Sequence, residues 1–487
     1  MARRPRELTQ LQEVRIAARP PARFKAVLSE AQYSGLLAEI ERAHAIIGAR
    51  VIWNVNSTAR GGGVAELLQS LVAYVRGAGF DCRWTVIAGE PDFFALTKRL
   101  HNRLHGAVGD GGPLGDEERA IYERVSADNA RALARHVREG DVVLLHDPQT
   151  AGLVRPLLDR GAHVIWRCHV GLDVPNDFAR SAWGFLQPYV ESAHAHVFSR
   201  TAFAWDDLDR ERLFVIPPSI DVFTPKNQPL EPQIVSAILA TAGLAPGPPG
   251  GPPVFTRGDG SPERVDARAE LIEAAALPEF VDVVTQVSRW DRLKDPAGVL
   301  EAFAATIAPR TDAHLVLAGP AVAAVTDDPE GGEVLDEVAA QREQLPDAVR
   351  ARVHLALLPM DDVEENGAIV NALQRRSQVV CQKSLAEGFG LTVAEAMWKS
   401  RPVVASAVGG IQDQIVDGET GILVDARDLD GFGKAVTSLL QNPARAAALG
   451  AQARTRVREA FLGPRHLIQY VELFDHVLRD PDQRRPS

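Results

Sequence analysis

The feature that most constrains the fold is a repeated alternation of short apolar runs with amphipathic helical patterns along most of the 487 residues. In the first half, apolar side chains recur at helical spacing between the first two runs, within residues 64–75. Short apolar runs separated by helices are typical of a parallel, doubly wound α/β sheet. The strands predicted for this half are 51–55, 83–88, 142–146, 163–167, 195–199 and 213–216.

A second alternating series follows an interruption at residues 217–280. Within the interruption, segment 245–253 is so rich in proline and glycine that it can be neither a helix nor a central strand, and we predict an exposed loop. The second series predicts strands at 283–288, 314–318, 352–357, 378–382, 402–405 and 422–424. It also predicts helices at 297–307, 333–344, 362–375, 391–399, 429–441, 444–460 and 465–478.

The two series predict two domains. We expect an N-terminal domain over 1–220, to which residues 461–487 cross back, and a C-terminal domain over 221–460. Open α/β sheets bind ligands at the carboxyl ends of their strands, so two such sheets facing each other predict a central binding cleft. Residues 1–30 are interpreted either as an arm that packs on the body or a partner chain, or as a disordered tail.

Composition excludes several classes of protein. A net charge of -11 argues against a general nucleic-acid binder. No apolar run is long enough to span a membrane, and no apolar core follows the N-terminal arginines as in a secretory signal. Cys82, Cys168 and Cys381 are far apart and odd in number, which predicts a reducing, cytoplasmic location without a disulfide framework or zinc cluster.

The most informative local pattern is segment 381–397, which holds two glutamates on either side of a Gly-Phe-Gly turn. If a helix begins near Gly390, the backbone N–H groups of its first turn form an anion site. Glu387 would then accept hydrogen bonds from sugar hydroxyls, and Glu395, one turn into the helix, from a ribose. This arrangement suits a sugar nucleotide, although Ser384 and Glu387 also fit an ordinary capping box.

Two basic residues follow the first strand of the second series. Arg289 and Lys294 project from one loop ahead of a helix. Such a pair can bind a diphosphate and stabilise the negative charge that develops as the diphosphate leaves. The alternative is a solvated charged loop. The presence of both glutamates in the same half favours the functional interpretation.

Further candidate residues lie just after predicted strands of the first half. Residues 60–63 form a glycine-rich loop that lets a ligand approach the backbone, or simply a tight strand–helix turn. His169 follows another strand and could bond the transferred sugar or the acceptor, or be a buried structural histidine. No nucleophile elbow, HExxH motif or Cys/His metal cluster is present.

Together these motifs resemble the family 4 retaining glycosyltransferases of the GT-B fold. Segments 54–68, 146–149, 166–169 and 286–296 are similar to the trehalose glycosyltransferring synthases within that family. The resemblance implies an enzyme with two Rossmann-like domains that joins glucose from a nucleoside diphosphate glucose to free glucose, reversibly giving trehalose. Retaining trehalose phosphorylases look similar, and a glycosyltransferase with another acceptor or a non-enzymatic sugar- or nucleotide-binding protein also remains open.

The resemblance also implies roles for individual residues. The catalytic residues would be Glu387, Arg289, Lys294 and His169. The donor would be bound by Gly62, Gly63, Arg289, Lys294, Met360, Glu387, Gly388, Phe389, Gly390, Leu391, Thr392 and Glu395. The acceptor would be bound by His146, Asp147 and Gln149. A homodimer is implied, with no nucleic-acid or membrane partner and no tightly bound cofactor, although Mg2+ could assist the diphosphate.

Overall fold

The computed structural model describes residues 11–59, 62–247, 250–321 and 330–479. The chain divides into two compact units: the first comprises the described residues up to Ser219 and from Gly463 onward, and the second runs from Ile220 to Leu462. Across these described ranges, no helix is both long and apolar enough to cross a membrane.

The first unit is built on a seven-stranded sheet of order β1-β3-β2-β4-β5-β6-β7, counted over the residues described. All neighbours pair in parallel except β1, which is antiparallel to β3. The strands are β1 Gln12–Val14, β2 Ile52–Asn56, β3 Cys82–Val86, β4 Val142–His146, β5 His163–Cys168, β6 Ala195–Phe198 and β7 Leu213–Val215. The helices are α1 Glu30–Ile47, α2 Gly62–Gly77, α3 Pro91–Leu104, α4 Asp116–Leu133, α5 Val154–Leu158 and α6 Asp177–Val190.

The second unit repeats this plan. Its main sheet has the order β10-β13-β12-β11-β14-β15-β16, and again one edge strand, β10, is antiparallel. The strands of this unit are β8 Val254–Thr256, β9 Pro262–Arg264, β10 Glu270–Ile272, β11 Val283–Val287, β12 His314–Pro320, β13 Val353–Leu358, β14 Val379–Gln382, β15 Val403–Ser406 and β16 Ile422–Val424. Its helices are α7 Pro232–Thr241, α8 Pro296–Ala302, α9 Glu330–Glu343, α10 Asp347–Arg350, α11 Val363–Arg376, α12 Leu391–Trp398, α13 Ile411–Gln414, α14 Leu429–Leu440 and α15 Pro443–Ala460.

The parallel strands are mostly apolar because both faces of each sheet are covered. In β4, Val143 and Leu145 enter one core of the first unit, whereas Val142 and Leu144 enter the core on the opposite face. The last helix, α16 (Gly463–Leu478), contributes apolar side chains to that second core and so belongs to the first unit.

Two parts of the chain are more ordered than their sequence suggests. Within the N-terminal arm, β1 extends the first sheet, and Phe24 is buried with its ring 4.5 Å from that of Tyr74. The interruption at 217–280 contains α7, and the two-stranded hairpin β8–β9 follows its loop. The described residues of loop 245–253 are mostly exposed, as predicted, but Pro253 is buried.

Candidate functional site

In the second unit, β14 leads through a loop into α12, and Glu387 lies in that loop. One carboxylate oxygen, Oε2, lies 2.7 Å from Lys294 Nζ and accepts hydrogen bonds from Ser384 Oγ at 3.2 Å and Gln382 Nε2 at 3.5 Å. Within the described residues the other oxygen, Oε1, has no hydrogen-bond partner. The side chain is therefore held through one oxygen while the second can accept a hydrogen bond from a ligand.

The loops that carry Lys294 and Glu387 are tied together behind this pair. Lys383 is fully buried and forms an ion pair with Asp295, the residue after Lys294. Gln286 accepts the Lys383 backbone N–H at 2.9 Å and donates to the Lys294 carbonyl at 2.8 Å. A displacement of either loop therefore has to break buried polar contacts, which are costly to leave unmade.

Arg289 lies at the surface of the loop that follows β11. Its side chain is 51% exposed and lies 2.6 Å from Asp291, whose carboxylate also accepts the Leu293 N–H. The structure therefore brings together two of the predicted catalytic residues, Lys294 and Glu387, and places Arg289 at the surface of the same strand–helix loop.

The Gly388–Thr392 segment turns sharply into α12. Gly390 is its N-cap and has φ +82°, a conformation that side chains other than glycine rarely adopt. Gln414 donates to the carbonyls of Phe389 and Gly390, and the Gly410 N–H donates to Gly388 at 3.2 Å. This support leaves the first turn of α12 as a potential anion site.

Glu395 lies within α12 and is nearly fully buried. Lys226 approaches its carboxylate at 3.6 Å, and Lys399 donates to its backbone carbonyl at 3.1 Å and to Asn227 Oδ1 at 3.1 Å. Met360, predicted to meet the base, is partly buried in the loop between β13 and α11.

The buried Lys399 makes stability depend on pH. Burial lowers the pKa of Lys399 to about 7, although the Glu395 carboxylate favours its charged form. An unfolded lysine has a pKa of about 10.4, so between these values the unfolded chain binds a proton that the folded chain lacks, and stability rises with pH. We expect Lys399→Met to reduce this rise by up to about 1.4 kcal/mol per pH unit. Urea unfolding from pH 7 to 10 measures the difference, and identical slopes for both proteins would contradict it.

In the first unit, two histidines at neighbouring strand ends meet. His146 Nδ1 lies 3.0 Å from His169 Nε2, and His146 Nε2 lies 3.2 Å from Asn54 Oδ1. His146 is 1% exposed, so it lies behind His169 with both ring nitrogens already engaged.

Asp147 fixes the backbone of His169. It has φ +65°, a strained conformation for a residue with a side chain, and its Oδ1 accepts the His169 N–H at 2.8 Å. Burial of the carboxylate raises the pKa of Asp147 to about 7, against the opposing effects of that hydrogen bond and of the Arg167 charge. The strain and the burial mark this strand end as a functional candidate.

Three other residues predicted to contact a ligand also lie in the first unit. Gln149 Oε1 is buried and has no hydrogen-bond partner in the described part of the chain, so a ligand hydroxyl could donate to it. Gly62 and Gly63 begin α2 and are exposed. Arg60 and Gly61, the start of the predicted glycine loop, lie outside the described residues.

Several residues of these sites escaped the sequence analysis. Gln382 and Lys383 lie inside the recognised motif. The partners of Gln382 are local, whereas Lys383 pairs with Gln286 and Asp295, which are distant in sequence. Asn54 had a detectable signal, because it is a polar residue in a strand that is otherwise mostly apolar. Gly409 and Gly410 form a turn after β15, and paired glycines near a strand end indicate a close approach of backbone.

Comparison with known proteins identifies both halves. A family model for the trehalose synthase N-terminal domain matches residues 54–205, and one for glycosyl transferases group 1 matches residues 267–456. The trehalose synthase of Pyrococcus horikoshii is 34% identical over 452 residues, covering 93% of this chain and 95% of the relative. That of Rubrobacter xylanophilus is 35% identical over 472 residues, covering 96% and 99%.

More distant proteins share part of this similarity. A trehalose phosphorylase of Pleurotus sajor-caju is 26% identical over 411 residues, covering 77% of this chain but 51% of the relative. The solved UDP-forming α,α-trehalose-phosphate synthase of Burkholderia vietnamiensis is 15% identical, with a TM-score of 0.63 over 88% of this chain and 97% of its own. The structural likeness confirms the predicted α/β fold of GT-B type. From its identity and coverage, the chain belongs to the trehalose synthase family of glycosyltransferases.

Proposed function

We propose that this enzyme makes trehalose reversibly, by transferring glucose with retention of configuration from a nucleoside diphosphate glucose to free glucose. The observation that carries the proposal is the Lys294–Glu387 pair beside the first turn of α12, in a chain 34% identical to a trehalose synthase over most of its length. Glu387 can accept hydrogen bonds from the hydroxyls of a sugar. Lys294 and the first turn of α12 can bind the diphosphate of the same sugar nucleotide.

We assign a binding residue to each part of the nucleoside diphosphate glucose. Glu387 Oε1 would accept hydrogen bonds from hydroxyls of the transferred glucose, because Oε2 is already occupied by Lys294. The first-turn N–H groups of α12 and the remaining N–H groups of Lys294 would bind the diphosphate, with Arg289 reaching it from the same loop as Lys294. Glu395 would bind the ribose and Met360 would contact the base.

The proposed reaction needs no protein nucleophile. The acceptor hydroxyl oxygen would form a bond to C1 on the face from which the diphosphate oxygen leaves, and that oxygen would take the hydroxyl proton. Catalysis then consists of positioning and of stabilising the charge that develops on the diphosphate. His169 would contact the sugar near C1, while Asp147 and Gln149 would lie on the acceptor side.

A phosphorylase is the second candidate, favoured by the similarity to trehalose phosphorylases. It would make glucose 1-phosphate from trehalose and phosphate without a nucleotide. The chain spans only about half of that relative's length, which weighs against this alternative.

Product analysis by NMR separates the two. The purified protein is incubated with glucose and, separately, ADP-, UDP- or GDP-glucose, and in a parallel sample with trehalose and phosphate. We expect trehalose and an equal amount of nucleoside diphosphate from at least one donor. Glucose 1-phosphate formed only in the parallel sample would establish the phosphorylase instead.

We further propose that the enzyme works in the cytoplasm as a homodimer, without a tightly bound cofactor and with Mg2+ as a stimulant. The three buried, unpaired cysteines suit a reducing compartment. Light scattering would test the dimer, and activity after EDTA treatment with and without added Mg2+ would test the metal.

A further inference from the structure

A chain of buried hydrogen bonds reaches His169 from the interior of the first unit. Asn54 Oδ1 lies 3.2 Å from His146 Nε2, and His146 Nδ1 lies 3.0 Å from His169 Nε2. None of the three residues is more than 8% exposed, so water competes little for these contacts. The two imidazole rings are stacked, with centroids 5.3 Å apart.

The amide sets the direction of this chain. The Asn54 amide nitrogen faces Cys82 Sγ at 3.5 Å, which leaves its oxygen, a pure acceptor, towards His146. His146 Nε2 must therefore carry a hydrogen. A neutral imidazole has one N–H, so His146 Nδ1 accepts, and His169 Nε2 must be the donor. The free lone pair of His169 then lies on Nδ1.

Burial and charge favour the neutral form of both rings. Burial lowers the pKa of His146 to about 3, and burial also lowers the pKa of His169. The positive charge of buried Arg167 acts in the same direction on both rings. Each ring therefore carries a single N–H hydrogen near neutral pH.

We propose that Asn54 and His146 are positioning residues that hold His169 as its Nε2–H tautomer, so that His169 Nδ1 accepts a hydrogen bond from a hydroxyl of the bound sugar. Within the described residues His169 Nδ1 has no hydrogen-bond partner, so this acceptor is available to a ligand. The sugar contact rests on the proposed function, whereas the tautomer of His169 does not depend on it.

The second unit contains a matched reference for the measurement. His314 Nδ1 lies 2.9 Å from His354 Nε2, and these rings are also stacked with centroids 5.3 Å apart. Here Glu273 lies 2.7 Å from His354 Nδ1, and a carboxylate acceptor places the hydrogen on that nitrogen. His354 Nε2 must then accept from His314 Nδ1, which gives both rings of this pair the opposite tautomer to the pair at His169.

The test is 15N NMR of the full chain labelled at its histidines, assigned with His169→Gln and His314→Gln. In the parent protein we expect His169 to have a protonated Nε2 and an unprotonated Nδ1, and His314 the reverse. A protonated Nδ1 in His169 overturns the inference, whatever the activity.

The variant Asn54→Leu removes the amide oxygen. We expect the His169 signals to lose their single-tautomer shifts, the His314 signals to stay unchanged, and kcat to fall about tenfold, as for the loss of one hydrogen bond. An unchanged His169 spectrum would show that Asn54 does not set the tautomer of His169 and would overturn the proposal. If Asn54→Leu does not fold, His146→Phe breaks the same chain one step later. A parent with the expected tautomer but no transferase activity would contradict the proposed function instead.

Discussion

We expect the substitution Lys294→Met to lower kcat by about 10²–10³-fold, the usual effect of removing one preorganised group that stabilises a developing negative charge. Lys294 lies 2.7 Å from Glu387 and is 16% exposed, so it is a largely buried cation held beside that carboxylate. Because methionine keeps most of the volume, the protein should stay folded. The measurement is steady-state kinetics on protein whose thermal unfolding has been checked.

Two further variants make this result specific. Lys434→Met is the matched control, since Lys434 also pairs with a carboxylate, Asp430 at 2.5 Å, but is 65% exposed on α14. It should leave kcat unchanged. The double variant Lys294→Met/Glu387→Gln removes the unpaired carboxylate charge, and its thermal unfolding shows how much of any stability lost in Lys294→Met comes from Glu387. Normal turnover in folded Lys294→Met would remove Lys294 from the reaction.

The second large effect is expected for Gly409→Ala. Gly409 has φ +49°, and a β-carbon at this position would overlap the carbonyl oxygen of Glu387. That oxygen is part of the backbone, so the loop holding Glu387 has to shift. Misplacing a catalytic group by about 1 Å costs about 10²-fold in rate, and we expect a loss of this size in kcat.

Gly418→Ala is the matched control for the backbone conformation. Gly418 has φ +75°, but a β-carbon there would meet no atom within 4 Å. Both variants should lose stability through left-handed strain, by about 1–3 kcal/mol. Only Gly409→Ala should lose activity in the folded protein. Equal activities of the two variants would show that the contact with Glu387 is not needed.

The sheets were predictable because buried parallel strands are continuous apolar runs. The predicted strand 142–146 coincides with β4, and 422–424 coincides with β16. The short antiparallel edges β1 and β10 and the hairpin β8–β9 were missed. Each of these strands has three residues, and for β1 and β10 pairing with a distant strand determines the strand more than its own sequence does.

The sequence predicted individual residues of the candidate sites but not the contacts between them. Sequence spacing placed Lys294 and Glu387 at the ends of separate strands, and the parallel sheet brings strand ends to one edge. It could not show that Lys383 and Asp295 pair, because these residues lie 88 positions apart and their contact depends on the packing of two loops. The role of Gly409 was hidden for the same reason.

The reaction to be tested is the transfer of a glucosyl group from a nucleotide to glucose with retention of configuration. The most direct test follows the label of nucleoside diphosphate [1-13C]glucose, mixed with unlabelled glucose and the enzyme, by NMR. We expect α,α-trehalose with one labelled anomeric carbon, formed at the rate at which nucleoside diphosphate appears. Label that appears only in free glucose, or in a β-linked product, would contradict it.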